Sequence, residues 1–262
     1  MPAFIETAPD QMAQDKQDYL DGLVAPLDGM WHSFIEAGQH YKIKENETAV
    51  GYCVVNEAAK LLQLVCKNEN PEELFKLLVE QLKLNGAVVA TCEFETLSLC
   101  LDIHSSLRVN SWMYHLADVV APHANRLFAG DHFRLLQSED LQQAVDFCMT
   151  AIDCERTWLE SYYAGLIQRE ELFAGFQNGD LIAAGECRPS ITQKPYADLG
   201  VVVHPEFRSQ GIATEILTRL IAICHEKQLT PICSTTPENF GARRAIEKAG
   251  FVSQHRVLEI DF

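Results

Sequence analysis

The stretch from Asp198 to Thr214 carries the residue types and spacing that can hold an anion. An apolar, β-branched run, Ala197–Val203, leads into a loop over His204–Gln210 and then into a helix beginning near Ile212. Arg208 sits in the loop, and two small residues, Gly211 and Ala213, open the helix. Small residues let backbone N–H groups converge on an anion without side-chain interference. The helix N-terminus adds donors that no earlier turn can satisfy, together with a partial positive charge. A pyrophosphate is the natural guest. The turn is not a Walker loop, because no Gly-Lys-Ser/Thr closes it. It is not a dinucleotide fingerprint either, because that needs three glycines.

The full pattern, Val202-x-x-Pro205-x-x-Arg208-x-x-Gly211-x-Ala213, is more specific than its parts. Asn239-x-x-Ala242 follows thirty-one residues after Arg208, and then Glu247-Lys248-Ala249-Gly250-Phe251. Together the two segments resemble the cofactor motifs of the GNAT acyltransferase superfamily. The resemblance covers roughly residues 131–262. It implies that acetyl-CoA lies in a V between two parallel strands that splay apart, Ala197–Val203 and Pro231–Thr235. Backbone groups of Val201, Val202 and Val203 would pair with the pantetheine as an added strand does. Backbone N–H groups of Arg208, Ser209, Gln210, Gly211, Ile212, Ala213 and Thr214 would bind the pyrophosphate. Asn239 would hydrogen-bond the pantetheine arm. No metal is implied.

An amine acceptor is cationic near neutral pH and attacks a thioester only after losing a proton, so a carboxylate is needed. Asp198 lies ten residues before Arg208, where some members of the superfamily carry a glutamate as the proposed base. Glu186, at the end of the preceding strand, is the rival, and Arg188 beside it offers an ion pair instead. Many members place a tyrosine seven residues after the asparagine to protonate the departing thiolate. That position is Ile246 here, which leaves Tyr196, Ser234, Thr235 or water to substitute. The implied activity is therefore N-acetyl transfer to a small-molecule amine or an amino group of a larger acceptor. The competing reading is a catalytically weak acyl-CoA-binding protein.

The elements that must position these residues fall in two halves. In the second, the pattern predicts a strand at Phe133–Gln137, a helix opened by Ser138 and another over residues 155–168. Strands at Leu172–Gln177 and Leu181–Cys187 flank the Asn178-Gly179 turn. Strands at 197–203 and 231–235, helices at 212–227 and 239–249, and a closing strand at 251–262 complete it. The first half repeats that order without its first strand. It has helices at 10–22 and 26–38, a hairpin turning at Asn46-Glu47, and a strand at 60–66. A helix opened by Pro71, Glu72 and Glu73 follows, then a strand at 88–92, a short helix at 95–101 and a strand at 107–115. The expected fold class is α/β: a mixed, largely antiparallel sheet flanked by helices, with a splayed parallel pair, present in tandem. The expected division is a degenerate, non-catalytic GNAT-like domain at 1–120, a linker at 121–131, and the acetyltransferase domain at 132–262. The first half's equivalent turn, Lys67–Pro71, has no glycine and adds Glu69, so it should bind pyrophosphate poorly. Tyr41, Trp112 and Tyr114 are its candidates for lining an acceptor cleft. Only eleven residues follow Phe251, room for one strand, so a sheet edge needs cover from the first half, a loop or a second copy in a homodimer.

Composition sets outer limits. The chain has 262 residues, 47% of them hydrophobic, enough for one large domain or two modest ones. A net charge of −16 argues against nucleic acid as a partner, and no long apolar window predicts a membrane span. Nine cysteines, none at a two-residue spacing, read as small buried hydrophobes in a reducing cytoplasm. Cys187 and Cys233 are the candidates for a reactive thiol.

Overall fold

A computed structural model describes residues 2–117 and 132–262. The expected linker at 121–131 lies outside the described residues. The chain forms two compact units. One comprises residues 1–113 together with 253–262, the other residues 114–252.

The first unit opens with β1 (Ala3–Glu6), α1 (Ala13–Gly22) and α2 (Gly29–Ala37). The strand β1 was not anticipated, because four residues at a chain end show too little alternation to read. It pairs antiparallel with β2 (Gln39–Glu45), so this half does possess its first strand. Helix α2 starts later than the proline at 26 suggested, because Asp28 caps it by accepting from the Met30 and Trp31 N–H groups at 3.0 Å. Strands β3 (Thr48–Val55) and β4 (Lys60–Cys66) continue the antiparallel sheet. The β2–β3 turn has positive φ at both Asn46 and Glu47, the primed geometry that matches strand twist. Helix α3 (Pro71–Leu82) crosses to β5 (Gly86–Ala90), which pairs parallel to β4. Helix α4 (Phe94–Ile103) leads to β6 (Ser106–Leu116). The unit is completed from the far end of the sequence: β12 (Phe251–Asp261) runs antiparallel to β5, from Val257 opposite Ala90 to Asp261 opposite Gly86. The expected closing strand thus exists, but from Ser253 onward it belongs to the first unit rather than to a domain at 132–262. Val257 and Ile260 are buried among first-unit residues such as Val88 and Leu78.

The second unit carries β7 (Phe133–Leu135), α5 (Leu141–Ala151), α6 (Arg156–Gln168), β8 (Leu172–Gln177), β9 (Asp180–Pro189), β10 (Tyr196–Val203), α7 (Ile212–Glu226), β11 (Thr230–Thr235) and α8 (Phe240–Lys248). Strands β7 to β10 form antiparallel neighbours, and β10 runs parallel to β11. Asn178 and Gly179 both adopt positive φ in the β8–β9 turn. Helices α5 and α6 cover one face with a core around Val145, Leu159, Tyr163 and Leu166. Helix α7 covers the other face, where a Cβ at Gly185 of β9 would lie 2.6 Å from Ile216. The tail of β6 also falls in this unit, where the Ala117 N–H donates to Gly250 O at 3.0 Å.

Candidate acyl-CoA site

Strands β10 and β11 pair at only three positions, Tyr196, Ala197 and Asp198 opposite Thr230, Pro231 and Ile232. Both then continue as strands without pairing to each other, which opens a V toward their C-terminal ends. Asp198 stands at its apex. The hydrogen bonds fix which backbone groups face it. Ser190 N–H donates to Tyr196 O, and His204 N–H donates to Ile182 O, so even-numbered residues of β10 present their backbone to β9. Thr230 N–H donates to Pro195 O, so odd-numbered ones face the β11 side. Val201 and Val203 therefore direct N–H and C=O into the open V, whereas those of Val202 are directed to β9. The Val203 carbonyl accepts from Arg208 Nε at 3.2 Å.

The turn at the V's mouth is built for backbone donors. Ser209 (φ 64°) and Gly211 (φ 86°) both lie in the left-handed region, and at Gly211 no side chain pays for it. Gly211 caps α7 without a side-chain acceptor. The first intrahelical bond runs from Glu215 N–H to Gly211 O at 3.0 Å. The N–H groups of Ile212, Ala213 and Thr214 precede it and have no earlier carbonyl to reach. Arg208 does something other than its motif position suggests. Its NH2 group donates to Ala151 O at 2.9 Å and its Nε to Val203, while its backbone N–H donates to Pro205 O. It ties the loop to the end of α5 and to β10. Ser209 and Gln210 are exposed beside it. Asn239 caps α8, its Oδ1 accepting from Ala242 N–H at 3.1 Å, which leaves its amide N–H groups to donate elsewhere.

Cross-strand register places both candidate carboxylates on the α5–α6 face. Asp198 is opposite Arg188, and Gly200 is opposite Glu186. Asp198 is 4% exposed. Glu186 lies over Gly200, whose missing Cβ would stand 3.3 Å from Glu186 Oε2. That same oxygen accepts from the Tyr162 hydroxyl at 2.6 Å and lies 3.4 Å from Arg188 Nε. Arg188 NH1 donates onward to the Tyr162 oxygen at 3.2 Å. Burial and the Glu186 charge push the Tyr162 hydroxyl well above the ordinary tyrosine range, so it stays a proton donor. Tyr162 also stacks on Trp158, with ring centroids 5.0 Å apart. Sequence reasoning missed Tyr162. Its only signal was that Trp158 and Tyr162 are four apart on a helix. Ile246 is buried in α8. Of the alternative acids, Tyr196 sits at the closed end of the V, while Ser234 and Thr235 end β11 at the open end.

The first unit repeats the V in reduced form. Strands β4 and β5 pair only at Lys60 and Leu61 opposite Gly86 and Ala87. Here α4 closes the gap: the buried Thr96 hydroxyl donates to Leu64 O on the edge of β4 at 3.1 Å. The equivalent turn leads into α3 with Glu72 and Glu73 in its first turn. Of the aromatics expected near an acceptor, Tyr114 is buried and the Trp112 ring lies under Arg256 at 3.8 Å. Tyr41 donates to Gln39 at 3.1 Å. Among the described residues no group of His, Cys, Asp or Glu is arranged to hold a metal ion, and no helix is long and apolar enough to cross a membrane.

Comparison with known proteins bears on the family and the fold. Residues 9–116 match the model of an acetyltransferase (GNAT) domain, and residues 136–251 match that of the acetyltransferase (GNAT) family. An acetyltransferase from the GNAT family of Colwellia psychrerythraea is 37% identical, with 100% of this chain and 99% of that one covered at a TM-score of 0.93. Two others share the fold at 13% identity. They are a GCN5-related N-acetyltransferase from Sphaerobacter thermophilus (TM-score 0.66, 99% and 95% covered) and a tandem GNAT protein from the clavulanic acid biosynthesis pathway (0.60, 99% and 98%). Comparison with curated proteins gives no match. The chain belongs to the GNAT acetyltransferase family, with two such domains in tandem.

Proposed function

We propose that the second unit binds acetyl-CoA and transfers its acetyl group to a primary amine by direct attack in a ternary complex. The observation that carries this is the V between β10 and β11, which opens beside the start of α7, where no side chain accepts from the first N–H groups. Pantetheine would add to the edge at Val201 and Val203, and the pyrophosphate would sit on the N–H groups of Ile212, Ala213 and Thr214. Asn239 would donate its amide to the pantetheine arm. Arg208 would act by holding the loop in shape. Glu186 or Asp198 would take the ammonium proton, and a backbone N–H near Val201 would stabilise the oxyanion. The acceptor is a small-molecule amine or an amino group of a larger molecule, met in a reducing cytoplasm. Nucleic acid and membrane have no part in this reading, and a homodimer is compatible with it. The first unit is non-catalytic, because the Thr96 hydroxyl already takes the Leu64 carbonyl on the β4 edge that pantetheine would need.

Thermal denaturation with acetyl-CoA, free CoA and NAD tests the site. A ligand at a hundred times its dissociation constant adds roughly 2.7 kcal/mol. Stabilisation by both CoA species but not NAD is expected, and no response to either CoA species would sink the reading. A screen of amines for thiol release then follows. The buried Ile246, in place of a tyrosine acid, favours a second reading in which the unit binds acyl-CoA with little turnover. Binding without thiol release from any amine would select it.

A further inference from the structure

Two cysteines of the second unit have no part in acyl transfer. Cys187 lies on the face of β9 turned toward α7, two residues beyond Gly185 on that same face. A Cβ at Gly185 would collide with Ile216 and stand 3.1 Å from Leu220, so the bare glycine is what lets α7 settle onto the strand. Ile216, Leu220 and Cys224 recur every four residues along one side of α7. The approach that seats the first two over Gly185 therefore brings Cys224 over Cys187. Cα atoms of α7 and β9 come within 8 Å of each other. The two Sγ atoms are hydrogen-bonded at 3.5 Å, with the residues 2% and 0% exposed. A disulfide of about 2.05 Å needs roughly 1.5 Å of closure, shared between two short side chains.

We propose that Cys187 and Cys224 are an oxidisable dithiol, which hydrogen peroxide closes to a disulfide joining β9 to α7. The hydrogen bond between the two sulfurs holds the Cys187 thiol below its ordinary range, with help from the Lys227 ammonium and against burial. The same contact and burial push Cys224 up, so it keeps its proton. Cys187 is thus the attacking sulfur. Having lost its proton to solvent, it attacks one peroxide oxygen. The O–O bond breaks and hydroxide leaves to become water, which gives a sulfenic acid on Cys187. Cys224 then attacks Cys187 Sγ, the S–O bond breaks, and the departing hydroxide takes the Cys224 proton. Two thiols lose two electrons and one peroxide becomes two waters. Peroxide is little larger than water and reaches the pair through local openings of the native state. The second step needs no search, because the partner is already in contact.

The test is peptide mass spectrometry of the full chain, treated natively with hydrogen peroxide, quenched, denatured and alkylated. Peptides containing Cys187 and Cys224 should appear joined, two hydrogens lighter than their sum, and should separate on reduction. Cys53, Cys92 and Cys100, each pushed up to about 12 chiefly by burial, should remain alkylated thiols. Recovery of Cys187 and Cys224 as alkylated thiols overturns the proposal. So does Cys187 as sulfinic acid beside an alkylated Cys224, or Cys187 joined to another cysteine. In Cys224→Ala the sulfenic acid has no partner, and dimedone should trap it on Cys187. A folded variant with no trapped adduct overturns the order of the steps. If the variant does not fold, the wild-type peptide map decides alone.

Discussion

Asp198 of β10 and Glu186 of β9 point to the same face of the sheet but stand in different surroundings. Asp198 is sealed at the apex, whereas Glu186 is held over bare Gly200 by Tyr162 and Arg188. Replacing the true proton acceptor by its amide should lower kcat about 10²- to 10⁴-fold while acetyl-CoA affinity stays put. We expect that outcome for Glu186→Gln, and a loss within a few-fold for Asp198→Asn. Equal loss in both, or a fall in acetyl-CoA affinity in calorimetry, would remove the distinction. At the turn, Gly211→Glu brings a carboxylate to the proposed pyrophosphate site in a backbone region that disfavours side chains. Acetyl-CoA binding should be lost, and unchanged affinity in a folded variant would refute the pyrophosphate assignment. The tight turn before α7 and the asparagine-led start of α8 were legible in the sequence, because both are short local patterns that the backbone executes by itself. Tyr162 was not, because only tertiary packing of α6 on β9 brings it to Glu186. Arg208 was legible as a position but not as a role, since its motif says nothing of the Ala151 carbonyl that it reaches.

At the scale of elements, the alternation of strands and helices was readable almost throughout, because each buries one face against its neighbours. What escaped was β1, too short to show a period, and how α4 meets β4. That packing has its own consequence at the start of α4. Glu93 is 2% exposed, and its carboxylate accepts from Tyr19 and from Ala90 N–H, both at 2.7 Å. Burial outweighs those donors and pushes the carboxyl from 4.5 up to about 7. The sign follows from proton linkage. Below pH 4.5 folded and unfolded chains both carry the proton, and the full contribution of the neutral group is present. As pH rises toward 7 the unfolded chain ionises first, so stability falls, by about 3 kcal/mol once both states are ionised. Glu93→Gln cannot ionise. Whatever its offset at low pH, its stability relative to the parent should climb between pH 4.5 and 7 and then level. Amide exchange in β5 and α4 would report it, and a pH-independent difference would disprove the raised value.

The whole molecule is a tandem in which sequence halves and structural units do not coincide. Each chain segment after the last helix of one half supplies strand residues to the other unit: Tyr114–Leu116 to the second, Ser253–Asp261 to the first. A sequence divided near its middle hides this, because strand pairing across 167 to 175 residues leaves no local trace. The buried Val257 and Ile260 show what the terminal strand contributes, and the Phe262 ring meets Phe75 edge-on at 5.8 Å. On the same strand face as Val257, Glu259 pairs with Lys60 at 2.7 Å and with Arg108 at 2.6 Å, which holds its carboxyl below the usual range. Two fully buried aliphatic side chains alone are worth roughly 3–6 kcal/mol, a large part of a domain's net stability. Truncation after Val252 should therefore unfold the N-terminal unit, although no residue before 113 is touched. Hydrogen exchange should show lost protection in β4, β5 and α3, while β8, β9 and α6 keep theirs. If protection instead collapsed first around β10 and α7, the terminal strand would be supporting the second unit, and Ser253–Phe262 would not belong to the first.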